Sequence, residues 1–281
     1  MGSDVAHLFD RMAASYDELE PWYEHLYVRL ESLVRASLAP SYAGARALDA
    51  GCGTGFQTAW LRDRGFLAHG VDLSAGLLEV ARRKLPGVPF ARADLEALPY
   101  DDGAFDAVTC CGSTLSFVET PAQAIAEIGR VLRRHGRVLL ECEQKWNLDL
   151  AWILVSAATG DSLGYRVTRA EAWRQLARPL DEGFQVDYPA ALPDGAQGYM
   201  RLRLFTMAEI TAMLRAAGLA PRRTWGIHAV TNVIPSTVLH RATLPRPLAT
   251  VYRVLRAIDT ALAPATARAA NSVVVLAEKL G

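Results

Sequence analysis

The residues best suited to chemistry gather in one short run, Asp49-Ala-Gly51-Cys52-Gly53-Thr54-Gly55. Glycines at this density let backbone N–H groups approach a ligand closely, and a turn from a strand into a helix is where such groups converge. The dinucleotide fingerprint requires Gly-x-Gly-x-x-Gly/Ala, but here the third glycine falls one position early and Phe56 stands in the closing place. Asp49 at the strand end would repel a pyrophosphate and attract a cationic centre, an amine or a sulfonium. Asp72 in Gly-Val-Asp-Leu-Ser and Asp94 in Ala-Asp-Leu-Glu-Ala-Leu-Pro-Tyr also follow apolar runs. A carboxylate there can accept from a diol or an amino group, although a helix cap or turn acid is the ordinary use of such a residue.

The elements that must position these groups read as an alternation. Strands are expected at 45–49, 67–71, 88–93, 105–111 and 137–143, with helices at 56–64, 75–85 and 123–132 between them, which implies a parallel sheet covered on both faces. Thr120-Pro121 marks one helix start, and Thr206-Met-Ala-Glu209 is a capping box for another, closed by Gly218. Two helices, 7–19 and 22–38, precede the sheet, separated at Pro21. Residues 144–203 interrupt the alternation with weak helical pattern and many aromatics, and read as an inserted cap. The core resumes at 206–230 and closes at 272–279. Between these, 231–270 is an excursion holding a helix with Leu248, Val251, Tyr252, Leu255, Ile258 and Leu262 on one face.

Composition narrows the classes. The 281 residues carry 30 basic and 30 acidic side chains, so the long-range field of a dedicated nucleic-acid binder is missing. Four cysteines without paired spacing fit neither a disulfide framework nor a metal site, which points to a reducing compartment, the cytoplasm. No leader pattern opens the chain, and its longest apolar run is too short to cross a bilayer, so stable membrane insertion is not expected.

Leu48-Asp-Ala-Gly-Cys-Gly-Thr-Gly55 resembles motif I of the class I S-adenosylmethionine-dependent methyltransferases. Phe105-Asp-Ala-Val-Thr, the run Arg130 to Leu140 and the two acids fall in register with that family, and Phe9 to Asp17 looks like the lid helix of its small-molecule members. The resemblance spans roughly 46–143, 206–228 and 272–279. It implies an α/β, Rossmann-like, doubly wound sheet of seven strands, mostly parallel with the last antiparallel, in a single domain with N-terminal lid helices at 1–40 and a cofactor-binding core at 46–143. The cofactor implied is S-adenosyl-L-methionine. Asp49, Gly51, Cys52, Gly53 and Gly55 would form its glycine turn. Asp72, with Leu73, would bind the ribose hydroxyls, Asp94 the adenine amino group with Leu95 beside the ring, and Cys111 would stand at the same site.

The activity so implied is methyl transfer to a small, apolar or aromatic metabolite, with O, N and C acceptors all open. Tyr16, His228 and His240 are the candidate catalytic groups, and Tyr16, Trp146, Tyr199 and His228 the candidate substrate pocket. No metal is expected. Cys110 and Cys111 end a strand near where base-methylating enzymes carry a nucleophile, yet a buried small hydrophobe is the commoner use of such a residue. An RNA-base methyltransferase and a cofactor-binding, catalytically silent subunit are the competing readings. The excursion at 231–270 replaces the family's usual C-terminal hairpin, and fits either a cover for the substrate or the interface of a homodimer.

Overall fold

The computed structural model describes residues 2–177, 179, 181–191 and 197–281; side chains of 2–4, 175, 176, 187–191 and 197–199 lie outside the description. In chain order the elements are α1 (Gly2–Met12), α2 (Pro21–Ser37), β1 (Arg46–Ala50), α3 (Phe56–Asp63), β2 (Leu67–Asp72), α4 (Ala75–Lys84), β3 (Phe90–Arg92) and β4 (Phe105–Cys110). A 3-10 turn (Thr114–Phe117), α5 (Pro121–Val131) and β5 (Leu132–Glu143) follow. Then come α6 (Leu148–Ala158), α7 (Arg169–Leu176), β6 (Phe184–Ala191), β7 (Gln197–Leu204), α8 (Met207–Ala216) and β8 (Leu219–Ile227). The chain ends with α9 (Ser236–Leu239), α10 (Arg246–Thr266) and β9 (Ser272–Lys279).

Seven strands form one sheet in the order β3-β2-β1-β4-β5-β9-β8, parallel except that β9 runs antiparallel to both neighbours. Strand periodicity builds the two faces. Leu48 and Ala50, Val108 and Cys110, Val138 and Leu140 point to one side, where Ile125 and Ile128 of α5 and Ile210 and Leu214 of α8 meet them. Ala47, Ala107, Leu139, Val274 and Leu276 point to the other, under Leu26, Leu30 and Leu33 of α2 and Trp60 and Leu61 of α3. The order reverses between β1 and β4, and a crevice opens there beyond the carboxyl ends of the strands.

Local chemistry sets the boundaries. Pro121 opens α5 as expected, though the Thr120 side chain makes no cap bond, whereas both halves of the Thr206–Glu209 capping box form. β5 starts at Leu132, five positions before the expected strand, because a bulge with His135 at φ 61 carries the pairing back past Gly136. Within 144–203 the structure has two helices and the hairpin of β6 and β7. The near-continuous apolar run of α6 hides its helical period, and α7 is fixed by a capping box between Thr168 and Glu171.

The excursion folds back over the sheet edge: α10 lies against β8, so closely that a Cβ at Gly226 would stand 2.6 Å from the Ala270 Cβ and 2.9 Å from the Thr266 carbonyl oxygen. The buried positions of α10 are Tyr252, Asp259 and Ala263, while Val251, Ile258 and Leu262 of the expected apolar face are exposed. The reason is polar: Asp259 accepts from the backbone N–H of His228 and of Val230 and pairs with His25, which rotates the helix to bring the acid inward.

Candidate active site

The crevice is a cavity of about 590 Å³. Its floor is the glycine turn. Gly51 and Cys52 both donate from backbone nitrogen to the Val71 carbonyl, at 2.8 and 2.9 Å, which folds the chain sharply after β1. Gly51 sits at φ +78, and a Cβ there would stand 2.1 Å from Thr114, so this is a position where only glycine serves. At Gly53 a Cβ would meet nothing nearer than Tyr16 at 3.7 Å, so its backbone borders open cavity.

Asp72, the last residue of β2, locks this turn to the next helix. Its Oδ2 accepts from Gly53 N–H and its Oδ1 from Ser74 N–H, each at 2.8 Å. Burial pushes its carboxyl above the usual range, against the pull of those bonds. Leu73, Asp94, Leu95 and Cys111 also line the cavity, so the structure brings together most of the residues expected at the cofactor.

Two of them stand elsewhere. Asp49 is fully buried below the turn, with Thr58 and Thr109 hydroxyls donating to its two oxygens at 2.6 and 3.0 Å; it is a brace between β1, α3 and β4, not a wall of the cavity. Burial raises its carboxyl to about 7. Gly55, at φ +91, opens α3 and packs towards Leu85 and Ala81, where a Cβ would stand 2.9 Å from Leu85.

The catalytic candidates separate in the same way. Tyr16 lines the cavity; burial first, and the charges of Asp72 and Asp17 after it, push its phenol up to about 12 even though Tyr27 hydrogen-bonds to it. At neutral pH it donates a hydrogen bond and does not abstract a proton. His228 is no part of the site. It is fully buried, stacked on Trp22 with ring centroids 3.7 Å apart, and its ring nitrogens are engaged by the Thr231 hydroxyl and the Trp22 carbonyl. His240 is held by Glu20 at 2.8 Å, also away from the cavity.

Trp146 is not a lining residue, with Lys145 Nζ 4.9 Å from its ring centroid, and the Tyr199 side chain lies outside the described residues. Cys110 and Cys142 are core residues whose thiols burial pushes up, and Cys111 donates to the Leu139 carbonyl; none has the thiolate character of a nucleophile.

The lid is expected from the resemblance of Phe9 to Asp17, but the contacts that seat it are not. α1 covers the cavity through Val5, Ala6 and Phe9, and two aspartates latch it. Asp10 accepts from the Ser74 hydroxyl at 2.6 Å and Gly76 N–H at 2.8 Å, and Asp17 bridges the Thr54 hydroxyl and Lys84. Asp10→Ala is expected to speed release of bound S-adenosylhomocysteine about tenfold, as loss of one charge-assisted latch implies. Stopped-flow displacement measures it, and an unchanged off-rate would show that the latch is irrelevant to ligand retention.

The opposite wall rests on two buried acids. Glu141 accepts from Ser113 N–H at 2.6 Å and Glu143 from the Ser113 hydroxyl at 2.8 Å, which holds Ser113 at φ 60 and so places Gly112 and Thr114. The signal was present as two acids inside the apolar strand Leu139-Leu-Glu-Cys-Glu143. Burial, and next the neighbouring Glu141, push Glu143 up to about 8 from 4.5. A folded-state pKa above the unfolded one gives stability that is full below pH 4.5 and lost as pH rises through about 8. Glu143→Gln should therefore lose less stability than the native chain between pH 5 and 9 in urea unfolding, and parallel curves would contradict the buried proton.

Comparison with known proteins agrees with this geometry. Residues 48–140 match the family described as a methyltransferase domain. The human methyltransferase-like protein 27 is 35% identical over 205 residues, covering 66% of this chain and 79% of that protein. A demethylmenaquinone methyltransferase of Clavibacter sepedonicus is 36% identical over 142 residues, 50% of this chain; the chain spans only 57% of that relative's length. Among solved structures, the Burkholderia thailandensis 1,6-didemethyltoxoflavin-N1-methyltransferase superposes with TM-score 0.55 at 17% identity, over 99% of this chain and 88% of its own. The cyclase SpnF superposes with TM-score 0.54 at 22% identity, over 90% and 81%.

The fold and the glycine turn define a Rossmann-like nucleoside-cofactor protein. The chain belongs to the class I S-adenosylmethionine-dependent methyltransferases, and its cofactor is S-adenosylmethionine. No helix among the described residues is long and apolar enough to cross a membrane.

Proposed function

We propose that the protein transfers a methyl group from S-adenosylmethionine to a small, largely apolar or aromatic metabolite. The observation that carries this reading is a single cavity framed by the glycine turn, Asp72 and Asp94 on one side and by Phe9, Phe117 and Met200 on the other. The residues present fit the cofactor: Gly53 leaves the backbone open to a ligand, and the Asp72 carboxylate is fixed at the wall by Gly53 and Ser74 N–H with lone pairs to spare for a diol. Leu73, Leu95 and Asp94 would take the ribose edge and the adenine.

When bound, S-adenosylmethionine supplies an electrophilic methyl on a sulfonium: the acceptor's lone pair forms the new bond to carbon, and the carbon–sulfur electron pair stays on sulfur. The chain's part is alignment, which supplies on the order of 7 to 11 kcal/mol where geometry is good. Residues of α1, β6 and β7 line the cavity around the reacting groups, and the Tyr16 hydroxyl can orient the acceptor by donating to it. With no described side chain placed as a strong base, acceptors that need little deprotonation suit the site best. Methylation of an RNA base is disfavoured by the balanced charge.

The four cysteines, all free and buried, suit a cytoplasmic protein, and the exposed residues of α10 suit a homodimer. Incubation with methyl-labelled cofactor and the small-molecule fraction of the source cells tests the reading. Label should enter a small molecule; label in nucleic acid, or in nothing, would sink it.

A further inference from the structure

We propose that the methyl acceptor is a carboxylic acid with an apolar body, held at the cavity mouth by Arg201. The inference rests on the methyl-transfer reading and names the substrate class for the same site. Arg201 stands on β7, which packs against α1 and the 3-10 turn, and is among the residues that line the cavity, as is Met200. Its neighbour Arg203 is spent on Glu209 at 2.8 Å, but among the described residues Arg201 has neither hydrogen bond nor ion pair. Asp187 faces it across the hairpin register; the Asp187 side chain is not among those described.

A guanidinium beside apolar lining recognises an oxyanion attached to a hydrophobic group, through a planar fork that matches a carboxylate. The acids of the cavity decide which oxyanion. Asp72 and Asp94 belong to the cofactor wall, Glu96 accepts from Thr120 N–H at 2.7 Å, and Glu119 lines the cavity beyond ion-pair distance of Arg201. A dianionic phosphate would meet repulsion from the two glutamates that a single arginine does not offset, whereas a monoanionic carboxylate would not. Apolar contact with Phe9, Phe117 and Met200 then seats the rest of the acceptor.

The test uses the full-length protein with methyl-labelled cofactor and the small-molecule fraction of the source cells. The labelled product should either bind an anion exchanger at neutral pH and enter organic solvent only after acidification, or be a methyl ester that releases label in base. Arg201→Ala should raise KM for the purified acceptor about ten- to a hundredfold, with Arg201→Lys recovering part of the loss, while S-adenosylhomocysteine affinity by calorimetry stays native. A neutral, base-stable product, a phosphatase-sensitive product or an unchanged KM would overturn the assignment. So would weakened S-adenosylhomocysteine binding in Arg201→Ala, since the arginine would then be serving the cofactor. If the native protein binds S-adenosylhomocysteine yet labels no small molecule, methyl transfer itself fails and this inference fails with it.

Discussion

Asp72→Ala is expected to abolish measurable binding of S-adenosylmethionine and S-adenosylhomocysteine. The carboxylate serves two structures at once: its oxygens hold Gly53 and Ser74 N–H at 2.8 Å, and the same group borders the cavity. Removing it loses the acceptor for a ligand diol and releases the glycine turn from the start of α4. Each charge-assisted hydrogen bond is worth roughly 1.5 to 3 kcal/mol, so losing two to the ligand weakens binding about a hundred- to ten-thousandfold before the turn relaxes. Asp72→Asn keeps the shape but turns an NH₂ towards one of the backbone donors, and should fall between the two. Isothermal titration measures both variants, with far-UV circular dichroism confirming the fold. Native affinity in Asp72→Ala would remove Asp72 from the binding site and with it the main support for the cofactor's placement.

Much of this site was legible because it is local. The run from Asp49 to Gly55 names its own turn, and the acids after β2 and β3 lie at strand ends whose position follows from apolar runs in the sequence. What the pattern could not show is the depth at which each acid sits. Asp49 and Asp72 both lie in the last two positions of their strands, yet one is covered by two threonine hydroxyls and the other faces the cavity. That difference is made by Thr58 and Thr109, which join it only once α3 and β4 have packed. The contacts of the lid and of the hairpin were harder still. Asp10 reaches Ser74 and Gly76 across 64 and 66 positions of chain, and Arg201 meets the cavity only because β7 folds back over the 3-10 turn, so neither leaves a mark in local periodicity.

The candidate base His228 shows the same limit: a strand-end histidine on the expected ligand side looks the same in sequence whether it opens to a ligand or packs in a core. His228 closes one, and His228→Ala is therefore expected to cost stability and leave the chemistry. The ring stacks on Trp22 at an interplanar angle of 8°, beside His25, and ties β8 to α2 through the Trp22 carbonyl. Alanine there leaves a cavity and unpairs buried polar groups, a combination that typically costs 2 to 5 kcal/mol. Burial, and next the adjoining His25, hold the imidazole well below its ordinary 6.5, so it is neutral in the fold. A depressed folded-state pKa gives stability that is present above pH 6.5 and lost as pH falls below it, because the unfolded chain takes up the proton first. His228→Phe keeps a ring against Trp22 without a titrating group, and its unfolding midpoint should lose less than the native one between pH 7 and 5. Below its lowered melting temperature, His228→Ala should keep kcat/KM within about threefold, since no catalytic contact is removed. A hundredfold fall in kcat at native stability would return His228 to the reaction.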